Sequence, residues 1–387
     1  MDPNDRRLFI TEKFNEIYQN QPCVWVRAPG RVDLMGSHTD YNMGYVMTMA
    51  IDRDTWMAAS SRSDRKVAVY SLDTHSGGEF CLDRIEHDSQ SPWTDYVGGV
   101  ASSLQQAGYP LQGFNALIHS TVPFSSGLSS SAALEMAAAL VFQVAGGFHL
   151  DPVETALLCQ KAENQFVGVN SGILDQYSSA MGKAGCALLI DCRHLSSTCM
   201  SISAGVSVMI CDTHARRTLA GTEYGERRAQ CEQGVQRLQK YYPGATALRD
   251  ITLEQFEACE KDLPEIVARR CRFIIEENQR VLELAEALPA GDSQRLQRLF
   301  AASYAGARDL YEIGAPAMEA MMVAMLAGPG VIAARQAGAG FGGCMVALVK
   351  DRDVDAFAGH VKKTYERATG IQPSVYAVTA AAGAGAL

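Results

Sequence analysis

The sequence predicts an α+β protein in which short strands and helices follow one another along the chain. Its 387 residues are enough for two domains, or one large one, with an ample core. Strand and helix patterns alternate up to about residue 195, after which one apolar strand leads into long helical patterns. From this change of pattern alone we place a domain boundary there, which gives segments 1–195 and 196–387.

The individual elements follow from the spacing of apolar residues and from the turn-forming residues between them. In the first segment we predict helices over residues 6–19, 93–107, 132–144 and 151–166, and strands over residues 24–28, 45–51, 67–71, 79–82, 113–120 and 187–191. In the second segment we predict strands over residues 206–212 and 345–350 and helices over residues 264–289 and 294–311. Gly77 and Gly78 indicate the turn of a hairpin, and the Ala/Gly-rich tail over residues 379–387 is expected to be frayed.

The composition excludes several classes of function. Apolar residues make up 47% and charged residues 20%, as in soluble globular proteins. The net charge of −9 argues against a nucleic-acid or anionic-membrane surface, although a local positive site can still hold a small phosphorylated ligand. No apolar run predicts a transmembrane helix, and the first residues lack the apolar core of a signal peptide. Eleven scattered cysteines without a Cys-x-x-Cys pair indicate reduced cytosolic thiols, not a disulfide frame or a zinc site.

Residues 121–134 combine a turn-forming run with the start of a helix. Three consecutive serines, beginning at Ser129, follow the turn and open the helical pattern. The unpaired N–H groups of a helix start and the helix dipole favour an anion, so this stretch indicates a phosphate cradle. It is not the common P-loop, because the Gly-Lys-Ser/Thr ending is missing. An ordinary serine-capped helix is the alternative, and this stretch alone supports both equally.

A polar, glycine-containing stretch over residues 28–42 lies between two apolar strands. We predict a loop here, presented by a rigid scaffold, which is where binding and catalytic residues concentrate. Its chemical candidates are Arg31, His38 and Asp40. The alternative for any one of them is a solvated turn with a local ion pair.

Two carboxylates, Glu163 and Asp175, bracket another glycine-containing loop. This arrangement suits a division of labour in which one carboxylate binds a cation and the other handles a proton. The alternative is that Glu163 is a surface helix residue and that Asp175 caps the next helix.

Trp93 and Tyr96 are three residues apart and are expected to share a helix face. They form either part of the core, the usual place of aromatic side chains, or one wall of an adenine pocket.

Residues 338–344 hold four glycines between a predicted helix and a strand. Glycine permits close approach of the backbone, which fits a loop packed against phosphates or against the cradle. A plain tight connection is the alternative.

Read together, three segments resemble the galactokinases, which belong to the superfamily of galactokinase, homoserine kinase, mevalonate kinase and phosphomevalonate kinase (the GHMP kinases). They are Gly-Arg-Val-Asp-Leu-Met-Gly-Ser-His-Thr-Asp-Tyr-Asn at residues 30–42, Pro-Phe-Ser-Ser-Gly-Leu-Ser-Ser-Ser-Ala-Ala at residues 123–133, and Gly-Ala-Gly-Phe-Gly-Gly-Cys at residues 338–344. Stretches between them also match, so the resemblance covers nearly the whole chain. It implies the two-domain GHMP-kinase fold, with a mixed sheet, helices in each domain and the active site in the cleft between them; the last strand either stays in the second domain or returns to the first.

The resemblance also implies phosphoryl transfer from ATP to the anomeric hydroxyl of a sugar. Asp175 is then the base, and Arg31 holds it ionised and steadies the transferring group. The residues that match sugar contacts are Ser37, His38, Asp40, Gly172 and Tyr224. The residues that match the ATP site are Trp93, Tyr96, Ser125, Ser126, Gly127, Leu128, Ser129, Ser130, Ser131 and Ala132. Ser131 and Glu163 match the ligands of Mg²⁺, an ion that prefers hard oxygen donors.

Three positions depart from the family pattern. Galactokinases usually have, in place of Ser37, a Glu that binds the C6 hydroxyl of the sugar, and they usually have Asn in place of Asp33. Plant arabinokinases resemble this chain at both positions, and galacturonokinases also have a small residue at position 37. Losing a charged hydrogen bond to one hydroxyl costs about 1.5–3 kcal/mol, although Ser37 can offer a neutral or water-mediated bond. Ser125, which replaces a glycine, concerns only loop geometry.

The leading hypothesis is therefore an ATP-dependent sugar 1-kinase with galactose as the default substrate and L-arabinose or galacturonate as the alternatives. A non-catalytic sugar and ATP sensor is the alternative of another class, but Ser131, Ala132 and Asp175, part of which such proteins lose, are all present. A mevalonate or homoserine kinase would not explain the sugar-side motif. We expect a cytoplasmic monomer whose partners are the sugar and ATP, with no nucleic acid and no membrane.

Overall fold

The strands form two sheets in the computed structural model, which describes residues 1–215 and 220–387. Their bounds are β1 (Val24–Met35), β2 (Tyr45–Ser61), β3 (Lys66–Ser71), β4 (Ser76–Cys81), β5 (Phe114–Ser120), β6 (Cys186–Asp191), β7 (Ser196–Ser201), β8 (Val206–Asp212), β9 (Val331–Gln336), β10 (Cys344–Lys350), β11 (Ser374–Val378) and β12 (Gly385–Ala386). The first sheet has the order β12-β1-β2-β5-β3-β4, with β6 on β2 and β7 on β6, and it is mixed because β3 and β5 are parallel. The second sheet is antiparallel, with the order β11-β8-β10-β9.

Helices cover both sheets, so the predicted α+β class is confirmed. Their bounds are α1 (Pro3–Tyr18), α2 (Asp95–Gln106), α3 (Ser130–Gly146), α4 (Pro152–Ala162), α5 (Leu174–Met181), α6 (Ala220–Leu238), α7 (Leu253–Cys259), α8 (Glu265–Ala290), α9 (Ser293–Asp309), α10 (Pro316–Leu326) and α11 (Val354–Thr369). The break between the two sheets falls between β7 and β8, while β12 pairs with β1 of the first sheet. The domain boundary near residue 195 stays a prediction.

Helix α3 packs against β1 and β2, and this contact directs its N-terminus towards the candidate site. The packed face carries small side chains, among them Ala133 and Ala137, which are fully buried. Because alanine has little volume, the helix lies close to the sheet. The long helix α8 also contacts β1 and β2, so it brings residues of the second half of the chain against the same strands.

The predicted polar loop over residues 28–42 is wrong in its first half, because β1 continues to Met35. Its side chains alternate: Val32 and Leu34 are fully buried in the core, whereas Arg31 and Asp33 line a cavity on the other side. The register against β2 shifts on either side of the segment from Arg31 to Asp33. Such bulges change the direction of a strand and re-aim its side chains.

Three smaller predictions are also wrong. Gly77 and Gly78 lie within β4, paired with β3, so the hairpin turn comes before them. The glycine-rich loop over residues 338–344 follows strand β9, not a helix. The tail is not frayed throughout, because Ala386 pairs with Val26 in the first sheet. In each case backbone hydrogen bonds to a distant strand decide the structure, and side-chain periodicity does not report them.

Through the part of the chain that the structure describes, no helix is both long enough and apolar enough to cross a membrane.

Candidate active site

A cavity of about 460 Å³ lies between the first sheet and the second half of the chain. The predicted site residues that line it are Arg31, Ser37, His38, Asp40, Tyr96, Ser125, Gly127, Ser129, Ser130, Ser131, Glu163, Gly172, Asp175 and Tyr224. Tyr224 comes from α6, and Gly338 and Ala339 come from the loop after β9. The structure thus brings residues from both segments of the chain to one place.

Arg31 and Asp175 form an ion pair at the wall of this cavity. The Nε atom of Arg31 donates to Oδ1 of Asp175 at 2.7 Å, and Nη2 lies 2.5 Å from the same oxygen as an ion-pair contact. The remaining Nη1 donates to the carbonyl oxygen of Gly127 at 2.6 Å. Among the described residues none donates to Oδ2 of Asp175, so this oxygen is left for a substrate. The side chain of Arg31 is buried, whereas that of Asp175 is partly exposed and lines the cavity.

The turn before α3 has the backbone geometry of an anion site. Ser125, Gly127 and Ser129 have left-handed φ angles of 57°, 91° and 60°. Alternation of right- and left-handed residues turns successive N–H groups towards one point, where an anion binds. The first bond of the helix runs from the N–H of Ala133 to the carbonyl of Ser129, so the N–H groups of residues 130–132 have no partner within the described part of the chain.

The alternative of an ordinary serine-capped helix is not what the structure contains. Ser129 occupies the N-cap position but makes no capping bond with its side chain. Its buried Oγ has no hydrogen-bond partner within the described residues. A buried hydroxyl and a row of N–H groups without partners are unfavourable unless a ligand satisfies them. The cradle therefore fits the phosphates of a nucleotide.

Ser131 and Glu163, which are far apart in sequence, meet beside the cradle. The hydroxyl of Ser131 donates to Oε1 of Glu163 at 3.3 Å. Glu163 is 5% exposed, so the alternative of a surface helix residue is wrong. It lies in a π-helical turn that ends α4, a feature that is frequent at functional sites. In the described chain no three His, Cys, Asp or Glu side chains are grouped to hold a metal ion, so any cation here needs other ligands.

A carboxyl group behind Glu163 was missed from the sequence. The side-chain amide of Gln176 donates to Oε2 of Glu163 at 3.0 Å and to Oε2 of Glu135 at 2.9 Å. Glu135 is fully buried, and burial raises its pKa well above the usual value. Burial also raises the pKa of Glu163, which a neighbouring cation would oppose. Glu135 lies on the buried face of α3, and its position in the helical pattern gave no indication that it belongs to the site.

His38 connects the first motif to the glycine-rich loop. Its Nε2 lies 3.0 Å from the carbonyl oxygen of Ala339, and its Nδ1 lies 2.8 Å from the hydroxyl of Tyr41. Since a carbonyl only accepts, Nε2 carries the proton and Nδ1 accepts from Tyr41. Burial lowers the pKa of His38 to about 4, so the ring is neutral at pH 7. His38 lines the cavity with both ring nitrogens already engaged.

Asp40 and Gly172 both line the cavity and lie in direct contact. The carboxylate of Asp40 accepts from the N–H of Leu174 at 3.3 Å and is buried. A Cβ atom on Gly172 would lie 1.9 Å from Oδ2 of Asp40, so only glycine fits. The ring of Tyr224 packs against His38, with centroids 5.1 Å apart. The Leu174 N–H and the space left by Gly172 thus accommodate the Asp40 carboxylate in this position.

If Asp40 contacts a sugar, as the resemblance implies, the variant Gly172→Ala is expected to raise the KM for that sugar by about 10- to 100-fold, because the added methyl group displaces Asp40 and a charged hydrogen bond is lost. Steady-state kinetics at saturating ATP measure this change. The matched control is Gly359→Ala in α11, where an added Cβ meets no atom within 4 Å. An unchanged KM in Gly172→Ala would show that Asp40 does not contact the sugar.

Asp40 also gives a prediction for pH. Burial raises the pKa of Asp40 to about 6, so ionisation of this carboxyl group is less favourable in the folded protein than in the unfolded protein. The free energy of unfolding is therefore highest below about pH 4 and falls as the pH rises from about 4 through 6. Asp40→Asn should therefore gain stability relative to the parent protein over this interval, by about 3 kcal/mol at pH 7. Chemical denaturation at several pH values measures the difference, with Asp52→Asn on the surface as the control. A difference that does not vary with pH would contradict the assignment.

Ser37 lies in a buried polar network and does not point freely into the cavity. Its Oγ donates to Oδ2 of Asp33 at 2.5 Å and accepts from Nη2 of Arg335 at 3.0 Å. Arg335 also bonds Ser303 at 3.1 Å and lies 3.5 Å from Glu277. Charged partners lower the pKa of Glu277 in spite of its burial. The sequence analysis missed Arg335 and Glu277, whose partners come from other elements.

Four predicted ATP-site residues do not line the cavity with the others. Trp93 precedes α2 in a short 3₁₀ turn, and its Nε1 donates to Ser76 at 3.0 Å. It therefore does not share the face of α2 with Tyr96. The side chains of the other three, Ser126, Leu128 and Ala132, are buried in the structure behind the cradle.

The glycine-rich loop packs against the cradle, as one of the two sequence interpretations predicted. The N–H of Cys344 donates to the carbonyl of Ser126 at 2.8 Å. Gly338 has a φ of +72°, and a Cβ there would lie 3.2 Å from the carbonyl oxygen of Gly127. Gly338 allows this close contact between the two loops, so the plain-connection alternative is wrong.

Three family signatures match the chain. The galactokinase galactose-binding signature matches residues 12–61, which include β1 and β2. The GHMP kinases N terminal domain matches residues 95–183, from α2 through the cradle to the end of α5. The GHMP kinases C terminal signature matches residues 284–367.

Similar proteins cover nearly the whole chain. The galactokinase of Roseiflexus sp. (strain RS-1) is 43% identical over 376 residues, which are 97% of this chain and 96% of that protein. The crystal structure of Lactococcus lactis galactokinase complexed with galactose has a TM-score of 0.94 at 34% identity, covering 99% of this chain and 100% of that one. Methanococcus jannaschii mevalonate kinase has a TM-score of 0.64 at 16% identity, covering 92% and 98%, a likeness that shows the fold alone.

Proposed function

Because the chain belongs to the galactokinase family of the GHMP kinases, we propose that it phosphorylates galactose at the anomeric hydroxyl, giving galactose 1-phosphate and ADP. The resemblance noted in the sequence is thereby confirmed, and the chain is a sugar kinase with ATP as its phosphoryl donor. One observation carries the assignment of the site: the Arg31–Asp175 pair and the cradle share one cavity. We propose that the enzyme is a cytoplasmic monomer.

In this proposal Asp175 is the base. Its Oδ2 takes the proton of the anomeric hydroxyl while that oxygen forms a bond to the γ-phosphorus and the bond from this phosphorus to ADP breaks. A carboxylate is a weak base for a sugar hydroxyl, so most of the acceleration comes from alignment and from positive charge around the phosphoryl group. Arg31 supplies such a charge and fixes Asp175 through a hydrogen bond and a second ion-pair contact.

The N–H groups of the cradle are proposed to hold the ATP phosphates, and Ser131 and Glu163 to hold Mg²⁺. One hydroxyl and one carboxylate fit that ion, which usually keeps several waters and takes its remaining ligands from substrate phosphates. Bound Mg²⁺ would neutralise charge on the phosphate oxygens. We further propose that Tyr96 and Trp93 contribute to the adenine pocket, Tyr96 from the cavity wall.

The sugar contacts are proposed to come from Asp40, His38, Ser37, Tyr224 and the backbone at Gly172. The Asp40 carboxylate is held in place by its neighbours and can accept from sugar hydroxyls without reorganising.

Turnover of ATP with purified protein, Mg²⁺ and a panel of sugars tests the proposal. The panel is galactose, L-arabinose, galacturonate, glucose, 6-deoxygalactose and N-acetylgalactosamine. We expect the highest kcat/KM with galactose. A clear preference for L-arabinose or galacturonate would make Ser37 a specificity switch, and no turnover with detectable sugar binding would favour a sensor.

A further inference from the structure

Glu135 and Gln176 lie fully buried behind the proposed cation site, and each has one oxygen without a partner. The amide nitrogen of Gln176 donates to Oε2 of Glu135 at 2.9 Å and to Oε2 of Glu163 at 3.0 Å. Oε1 of Glu135 and Oε1 of Gln176 have no hydrogen-bond partner among the described residues. Two buried oxygens without a donor are unfavourable, and here they belong to side chains that already share a hydrogen bond.

A single proton on Glu135 can satisfy both oxygens. A carboxylic acid and a carboxamide can form a cyclic pair, in which the amide N–H donates to one carboxyl oxygen and the acid O–H donates to the amide oxygen. This ring uses one N–H of Gln176, and the other N–H donates to Glu163. Burial raises the pKa of Glu135 well above its usual value, and the negative charges of Glu163 and Asp175 act in the same direction. These influences favour the protonated form.

The hydrogen bonds of Glu163 show what this pair does for the proposed cation site. Its Oε2 accepts from the amide of Gln176 and from the hydroxyl of Ser171. Its Oε1 accepts from the hydroxyl of Ser131 at 3.3 Å, and both of these side chains line the cavity. One oxygen of Glu163 is therefore held from behind, while the other lies beside the second proposed ligand.

We propose that Gln176 is a positioning residue for the proposed cation site and that Glu135, as a neutral acid, holds the Gln176 amide in place. This inference rests on the proposed function, because it takes Glu163 to hold Mg²⁺. Gln176 directly follows Asp175 in α5, so one turn of that helix sets the positions of both the proposed base and the carboxylate of the cation site.

The test measures how much Mg²⁺ tightens the binding of ADP, a quantity that does not require turnover. Calorimetry gives the Kd of ADP with a chelator and with Mg²⁺, and the ratio of the two reports on the cation site. Gln176→Met keeps the length of the side chain but loses its hydrogen bonds. It should lower this ratio about tenfold or more, because losing a residue that orients a metal ligand usually costs about 10- to 100-fold in metal affinity. The Kd of ADP without Mg²⁺ should stay within about threefold.

The matched control is Gln279→Met at an exposed position of α8, which should leave the ratio unchanged. Melting temperatures are measured for every variant, because a merely structural role would lower them without changing the effect of Mg²⁺.

Two variants of Glu135 test the neutral acid, and they decide the question if Gln176→Met does not fold. Glu135→Gln replaces the O–H donor by an N–H donor, so the Mg²⁺ ratio should stay within about twofold of the parent value. Glu135→Leu removes both bonds to Gln176 and should lower the ratio about fivefold or more. The infrared difference spectrum between the parent and Glu135→Gln should show the carbonyl band of a carboxylic acid at pH 7.

An unchanged ratio in Gln176→Met, or an equal fall in Glu135→Gln and Glu135→Leu, would overturn the inference. A parent protein whose ADP binding does not respond to Mg²⁺ would overturn it together with the proposed cation site. If the ratios change as expected but the parent phosphorylates no sugar, the proposed function fails and the role of Gln176 stands.

Discussion

The substitution Asp175→Asn is expected to lower kcat for galactose by about 10³-fold while leaving the Kd for galactose within about threefold. The asparagine oxygen can still accept from Arg31, whose two donors both reach Oδ1 in the parent protein. The other atom becomes an amide, which cannot take the proton of the sugar hydroxyl. Binding should survive because the proposed sugar contacts come from other residues. Steady-state kinetics give kcat, and calorimetry with galactose gives the Kd.

The control for this experiment is Asp355→Asn, the same chemical change on the exposed side of α11. It should leave both constants unchanged. Turnover close to the parent value in Asp175→Asn would refute the role of Asp175 as base. A parallel loss of galactose binding would instead mean that the Arg31–Asp175 pair shapes the sugar site.

The parts of the site that could be predicted are those whose residues are close together in the sequence. The turn and helix start over residues 121–134 were predicted from a continuous run of serines and glycine, because they are a local structure, although this run alone supported a phosphate cradle and a serine-capped helix equally. The continuation of β1 through Arg31 and Asp33 was not predicted. Two charged residues in a short segment suggest an exposed loop when their partners are unknown. The partner of Arg31 lies 144 residues away in the sequence, and Arg335, which belongs to the network of Asp33, lies about 300 residues away.

The buried charges of the second half were missed for the same reason. Glu277 lies on α8 and Arg335 on β9, and each has a charged partner on another element. On a helix with regular apolar spacing, a glutamate reads as part of the solvated face. Its burial becomes acceptable only through Arg280, Ser303 and Arg335, which the fold brings to it. Such networks are a product of tertiary structure.

The substitution Arg31→Lys is expected to lower kcat for galactose by about 10²-fold or more, although it keeps the positive charge. The guanidinium makes two hydrogen bonds in different directions, one to Asp175 and one to the carbonyl of Gly127, and its Nη2 makes a second ion-pair contact with Asp175. A lysine ammonium is a single point on a flexible chain and cannot hold both groups in the same geometry. The pair and the cradle would then lose their common anchor. Steady-state kinetics with galactose and ATP varied separately measure the effect.

Whether the loss of activity in Arg31→Lys appears in kcat or in KM decides the role of Arg31. If it stabilises the transferring phosphoryl group and fixes Asp175, kcat falls and both KM values change little, because these interactions matter most in the transition state. If it serves mainly to hold the cradle through Gly127, the KM for ATP rises and kcat is largely kept. We expect the first result, since Asp175 receives both a hydrogen bond and a second ion-pair contact from Arg31. Arg53→Lys, a partly exposed arginine of β2 paired with Asp52, is the matched control and should change neither constant. Turnover above about a tenth of the parent value in Arg31→Lys would show that charge alone is sufficient and that the guanidinium geometry is not required.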